Sequence, residues 1–298
     1  MKILLATDGS DTAEAALDFV QAFPFPEDSD ITLLTVVNKD SLPDEETQGL
    51  SEEQRTALRD TKEAMREAGD ELLAREAGRL REAGWAGTKL VRYGHPADEI
   101  VRVAEELDTD LVVLGSHGLT GLQHYLLGSV SSAVFQHAPC SVLIVKGDHA
   151  CCTADDPLKL LLAYDESPSA EKAVDYCANL PLGDHARVTV VSVLALVTLY
   201  RQDISQRLSW HWQQQKLAAR EALERVTKEV RWATPNVDFK LLESGDVTKE
   251  ILKVAGELGS DLIVVGHKGT GAIKQFLMGS VATRIGHHAP CSVLAIKS

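Results

Sequence analysis

Residues 115–146 read GSHGLTGLQHYLLGSVSSAVFQHAPCSVLIVK, and residues 266–297 read GHKGTGAIKQFLMGSVATRIGHHAPCSVLAIK. At a fixed offset of 151 they agree, without a gap, at 14 of 32 positions. The same offset pairs Gly94 with Gly245 and Asp110-Leu111 with Asp261-Leu262, and the starts answer each other as ILLATD (3–8) and LLLAYD (160–165). A period this long is not that of a solenoid, whose units run to roughly 20–50 residues. It predicts two complete domains, 1–147 and 158–298, joined by a linker at 148–157.

Each copy alternates strand and helix. Lys2–Thr7, Ile31–Val37, Thr88–Arg92, Leu111–Leu114 and Ser141–Val145 are short apolar or β-branched runs, which read as strands. Between them, Asp11–Phe23, Ser51–Ala83, Pro96–Leu107 and Ser129–His137 have helical spacing, with proline placed where helices begin or stop. The second copy repeats the pattern, with strands near 158–164, 187–194, 237–242, 262–265 and 292–296. Apolar strands with helical crossovers require an α/β fold, a parallel sheet covered on both faces.

Composition narrows the function classes. Hydrophobic residues make up 44% and charged residues 25%, the balance of a globular chain. The longest nearly apolar run, 188–197, is half the ~20 residues a membrane-spanning helix needs. No secretory h-region follows Lys2, so a cytoplasmic location is expected. The net charge of −14 lies in the first copy: residues 1–150 hold 13 basic and 27 acidic residues, and 151–298 hold 17 of each. Such a surface repels nucleic acid and anionic membranes. The five cysteines form no disulfide framework, and His149, Cys151 and Cys152 offer too few ligands for a closed zinc site.

In an open α/β sheet, ligands bind beyond the carboxyl ends of the strands, where strand order reverses. Two features of each copy suit that place. One is the acid that closes the first strand, Asp8 or Asp165, which can meet ribose hydroxyls; the Asp-x-Ser pattern also suits a turn or helix cap. The other follows the fourth strand. Gly115 and Gly118 precede nine residues and then Gly128-Ser129; Gly266 and Gly269 precede nine and then Gly279-Ser280. The first glycines permit a tight turn and close approach, and the second pair opens a helix whose N–H groups favour an anion. Lys268 and Lys274 lie in the second loop, whereas the first has no Lys or Arg between Gly115 and Gly128. Glu166 replaces Gly9. The second loop is therefore expected to hold polyphosphate more tightly.

The G-x2-G-x9-G-S pattern, the aspartate ending the first strand and the HAPCSV segment before the last strand resemble the universal stress protein family over essentially the whole chain. The resemblance implies two tandem five-stranded domains of Rossmann-like 3-2-1-4-5 order forming an internal pseudo-dimer through their last strands, whose apolar edges would otherwise stay open. It implies a stress-response regulatory protein holding an adenine nucleotide (ATP, ADP or AMP) with Mg²⁺ at the phosphates, together with a protein partner. By position, Asp8 and Asp165 would lie by the adenosine, and Val36 and Val193 by the base. Gly115, Gly118, Gly128, Ser129, Gly266, Gly269, Gly279 and Ser280 would hold ribose and phosphates, with Lys268 adding charge.

Other readings stay open at this point. No G-x-x-x-x-G-K-[ST] loop, G-x-S-x-G elbow or H-E-x-x-H pair is present, so any catalysis would be at most a slow ATPase. A nucleotide-independent scaffold or apolar-ligand carrier is a second alternative, its shelter formed by Leu194–Leu199 with Trp210, Trp212 and Trp232. The plainer reading of those tryptophans is core packing. Likewise His117 reads as an exposed loop residue, His137 and His288 as cations at helix ends, and Cys140 and Cys291 as small buried residues.

Overall fold

The computed structural model describes residues 1–38, 51–119, 127–147, 157–196, 202–269 and 278–297, leaving aside the side chains of 202–209 and 211. His149, Cys151, Cys152, Lys274 and most of the linker lie outside the described residues. Two compact units divide at Asp148 and His149, with the short segment Phe23–Pro26 grouped with the second.

The first unit runs β1 (Lys2–Ala6), α1 (Asp11–Ala22), β2 (Asp30–Asn38), α2 (Glu52–Glu82), β3 (Gly87–Gly94), α3 (Pro96–Glu106), β4 (Leu111–Gly115), α4 (Ser129–His137) and β5 (Ser141–Val145). The second runs β6 (Leu158–Ala163), α5 (Pro168–Ala178), β7 (Ala186–Ala195), α6 (Gln202–Val230), β8 (Val237–Ser244), α7 (Val247–Leu258), β9 (Leu262–Gly266), α8 (Ser280–His288) and β10 (Ser292–Ile296). These bounds fall within a few residues of those read from the sequence.

Within the first unit the strands are all parallel, in the order β3-β2-β1-β4-β5. The second repeats this as β8-β7-β6-β9-β10. Both are the 3-2-1-4-5 order. The central strands are apolar on both faces because helices cover both: every residue of β4, β9 and β10 is buried. In β3, by contrast, seven of the eight residues are at least partly accessible.

Helix ends follow local chemistry. Ser51 and Gln54 form a reciprocal capping box that starts α2: each side chain accepts from the other's backbone N–H, at 3.2 and 2.9 Å. Much of α2 is solvated, as its Glu/Arg content requires, while Leu58, Leu73 and Leu80 are buried. In α7 the cap is Asp246, accepting from Lys249 N at 3.1 Å, and Gly259 ends the helix at φ +57°.

Two smaller expectations are corrected. Trp210 and Trp232 are not core residues: they are 69% and 89% exposed, Trp210 on the solvent side of α6 and Trp232 in the turn that follows it. Trp212 is half-buried, and its indole N–H donates to Glu243 at 3.2 Å. Of the apolar shelter expected from Leu194–Leu199 and the three tryptophans, residues 197–199 lie outside the described residues. Trp232 borders a shallow hollow of 390 Å³ lined otherwise by Glu221, Glu224, Arg225, Lys228 and Glu229. Cys291 is buried as expected, but Cys140 remains partly accessible. Among the described residues, no helix is long and apolar enough to cross a membrane.

Candidate functional site

Strand order reverses between β1 and β4, and again between β6 and β9. Ala6 lies beside Leu114, and Ala163 beside Val265. Each first-strand aspartate therefore emerges next to its glycine loop, at the switch point where ligands bind in such sheets.

In the first unit, Asp8 is exposed and organises the turn into α1. Its Oδ1 accepts from Ser10 N at 3.0 Å, and its Oδ2 accepts from Leu119 N at 3.2 Å. Gly9 makes the turn at φ +76°. Ser10 then caps α1, accepting from Ala13 N at 3.3 Å. The Ser10 and Thr12 hydroxyls both reach the carbonyl of His117, which fastens the glycine loop to the start of α1.

The second unit repeats the design with different residues. Asp165 Oδ1 accepts from Ser167 N at 3.1 Å, Glu166 makes the turn at φ +60°, and Ser167 caps α5 through Ala170 N. Ser167 and Ser169 donate to the Lys268 carbonyl. The common device is Asp-x-Ser-x-Ser/Thr, legible as Asp8-Gly-Ser10-Asp-Thr12 and Asp165-Glu-Ser167-Pro-Ser169. Thr12 and Ser169 complete the device, although neither is among the site residues expected from the sequence.

The glycines divide by purpose. A Cβ at Gly115 would stand 2.6 Å from the backbone of Thr12, and one at Gly266 2.7 Å from that of Ser169. These two are glycine because the first helix of the unit packs against them, and ligand approach is not needed to explain them. A Cβ at Gly118 or Gly269 would instead meet the carboxylate, 2.6 Å from Asp8 Oδ2 or 2.8 Å from Asp165 Oδ2. Here the bare backbone and the acid share one exposed surface.

Gly128 and Gly279 precede α4 and α8, and neither helix has a side-chain cap. Each folds back onto the loop: Gly128 N donates to Ser116 O at 2.8 Å, and Gly279 N to His267 O at 2.7 Å. Ser129 and Ser280 open these helices with exposed side chains. Val36 and Val193 are half-buried, two residues past Leu34 and Val191, whose carbonyls accept from Thr7 N and Tyr164 N. Each valine thus lies on the strand beside its aspartate.

Electrostatics separate the units. His117 is half-buried, with Nδ1 3.0 Å from Ser116 Oγ. At the position of Ser116 the second unit has His267, which is buried, with Nδ1 3.2 Å from the Ile296 carbonyl. Burial first, then the nearby charges of Lys268, Lys297 and Lys172, push this imidazole down to about 4. Before Asp165, Tyr164 donates to Glu171 at 2.5 Å and accepts from Arg225 at 2.7 Å. Burial, then Glu171, raise the phenol above the usual tyrosine range. Thr7 stands there in the first unit. Among the described residues no group of three or more His, Cys, Asp or Glu could hold a metal ion.

The sequence profile of the universal stress protein family matches residues 1–146 and 158–297. The chain belongs to that family. This universal stress protein is 31% identical over 152 residues, 49% of its length and 94% of the relative's, to universal stress protein MJ0577 of Methanocaldococcus jannaschii. It is 25% identical over 307 residues, 99% of its length and 96% of the relative's, to universal stress protein Mb2028c of Mycobacterium bovis. A universal stress protein structure from Archaeoglobus fulgidus shares the fold at a TM-score of 0.67, with 22% identity, covering 99% of this chain and 98% of that one.

Proposed function

We propose that this universal stress protein is a regulatory binder of adenine nucleotide, with one site at the carboxyl ends of β1 and β4 and another at those of β6 and β9. The observation behind this reading is the pairing, in both units, of an exposed aspartate with a glycine whose Cβ would stand within 2.8 Å of its carboxylate. The ribose hydroxyls would donate to Asp8 or Asp165, and the base would lie against Val36 or Val193. The phosphates would follow the loop to the N–H groups of α4 or α8, where the helix dipole and the hydroxyl of Ser129 or Ser280 favour an anion. Mg²⁺ would arrive with the phosphates. Nucleotide occupancy would set the position of the loop and the following helix, and so the affinity for a protein partner. No residue at the site is assigned a catalytic role.

The test is direct. Acid or heat extraction of the purified protein should release ATP, ADP or AMP, or titration with Mg²⁺-ATP should fill one or two sites per chain. Gly118→Val with Gly269→Val should abolish binding. An empty extract with no binding at millimolar nucleotide would turn the reading to a nucleotide-independent scaffold. Turnover lost on Asp165→Ala and Ser280→Ala would instead make it a slow ATPase.

A further inference from the structure

The two nucleotide sites are built alike but charged differently. Lys268 lies in the second loop itself, Lys172 in the second turn of α5, to whose start Ser167 and Ser169 fasten that loop, and Lys297 directly after β10, whose last carbonyl His267 meets; all three also act on the buried His267. The corresponding positions of the first unit are His117, Ala15 and Lys146. Two cations of the second site thus have no lysine or arginine counterpart in the first. Glu166, in place of Gly9, offsets one of them. The wider field runs the same way: 17 basic against 17 acidic residues in 151–298, but 13 against 27 in 1–150. Geometry holds Lys268 in place, because its carbonyl accepts from both Ser167 and Ser169 while its N–H donates to Ser169.

We propose that the units differ in phosphate-charge selectivity: the second takes nucleoside triphosphate even without metal, and the first takes monophosphate or a metal-neutralised nucleotide. This inference rests on the nucleotide reading above. A triphosphate carries about two more negative charges than a monophosphate. At the several-ångström separations of a loop site, in a partly aqueous dielectric, each added cation favours the triphosphate by a few-fold, and the unlike background adds to this. Selectivity built this way weakens with salt, since the Debye length falls from about 10 Å at 0.1 M to about 3 Å at 1 M.

The experiment uses the full chain with one site blocked at a time. Gly118→Val leaves the second site open, and Gly269→Val leaves the first. ATP and AMP are titrated calorimetrically into each variant in EDTA, at low and high salt, with inorganic tripolyphosphate as competitor. The ratio of ATP to AMP affinity should be about tenfold greater at the second site and should shrink at high salt. Tripolyphosphate should displace ligand there first. Lys172→Ala with Lys268→Ala in the otherwise unaltered chain needs no glycine replacement. It should weaken ATP at the tighter site about tenfold more than it weakens AMP. Equal ratios at the two sites, or ATP affinity unmoved by the lysine changes, would overturn the charge assignment alone. Absence of any adenine-nucleotide binding in the unaltered chain would overturn the nucleotide reading with it.

Discussion

Glu166 holds in the second unit the left-handed backbone conformation that Gly9 holds in the first, at φ +60° against +76°. For a residue with a Cβ this conformation costs on the order of 1–2 kcal/mol, and glycine adopts it freely. Glycine also loses more entropy on folding, which returns part of that gain. Glu166→Gly should therefore stabilise the second unit by roughly 0.5–1 kcal/mol, a rise of a few degrees in its melting transition. Scanning calorimetry of nucleotide-free protein checks this. An unchanged or lower transition would mean that the Glu166 side chain supplies a compensating interaction.

A second exchange between the units reverses a charge pairing. In the first, Arg79 of α2 bonds Asp18 of α1 at 2.5 Å. At the same places the second unit sets Glu229 of α6 against Asp175 of α5. Burial first, and then the hydrogen bond with the Asp175 carboxyl, raise Glu229 above the usual carboxylate range, against the pull of Arg225 at 3.6 Å. An acid with a raised folded pKa stabilises the fold below its unfolded value and loses that contribution as pH rises through the folded value. Glu229→Gln should accordingly raise stability at pH 7 by a few tenths of a kcal/mol, the scale of exposed pairs, with the gain vanishing near pH 4. Urea unfolding at the two pH values separates this from a pH-independent change.

The two kinds of loop glycine should respond differently to alanine. At Gly115 a Cβ would press on the Thr12 backbone, which can move only with α1. At Gly118 it would press on the end of the Asp8 side chain, which can rotate away. Gly115→Ala should cost on the order of 1–3 kcal/mol, the range for overpacking. Gly118→Ala should cost well under 1 kcal/mol while weakening nucleotide binding. Denaturation and titration of the same pair of variants read both effects.

Much of this was legible in the sequence because the repeat doubled each signal. The G-x2-G-x9-G-S spacing placed both loops, and the apolar strands with helical crossovers placed both parallel sheets. The reasons for individual residues were less accessible. Gly115 and Gly118 look alike in a string, and only the packing of α1 shows that one answers to Thr12 and the other to Asp8. Trp210 and Trp232 are exposed where tryptophan suggests core, because helical spacing alone does not say which arc of a 29-residue helix faces the sheet, nor that Trp232 falls in the turn beyond its end. His267 is buried against the Ile296 carbonyl, 29 residues away, a contact no local pattern encodes. Arg225 meets Tyr164 across 61 residues for the same reason.

His267 makes the second unit acid-sensitive in a way the first is not, since Ser116 holds the matching position. Its imidazole, 5% exposed, titrates near 4 in the fold because of burial and three lysines, against about 6.5 when unfolded. A depressed histidine contributes stability that is fully present above the unfolded value and lost as pH falls toward the folded one. At about 1.4 kcal/mol for each pH unit across that interval, the loss between pH 6.5 and 4 reaches up to about 3 kcal/mol. His267→Ser, which installs the residue of the first unit, removes that loss and also the bond to Ile296. The variant should be less stable than the parent at pH 7.5 yet show a flatter decline on acidification, so that the two stability curves converge below pH 5. Parallel curves, from chemical denaturation at half-unit pH steps, would show that His267 is not the group responsible. NMR titration of the His267 ring in the folded protein supplies the independent value, and a midpoint near 6.5 would contradict the buried, lysine-flanked placement.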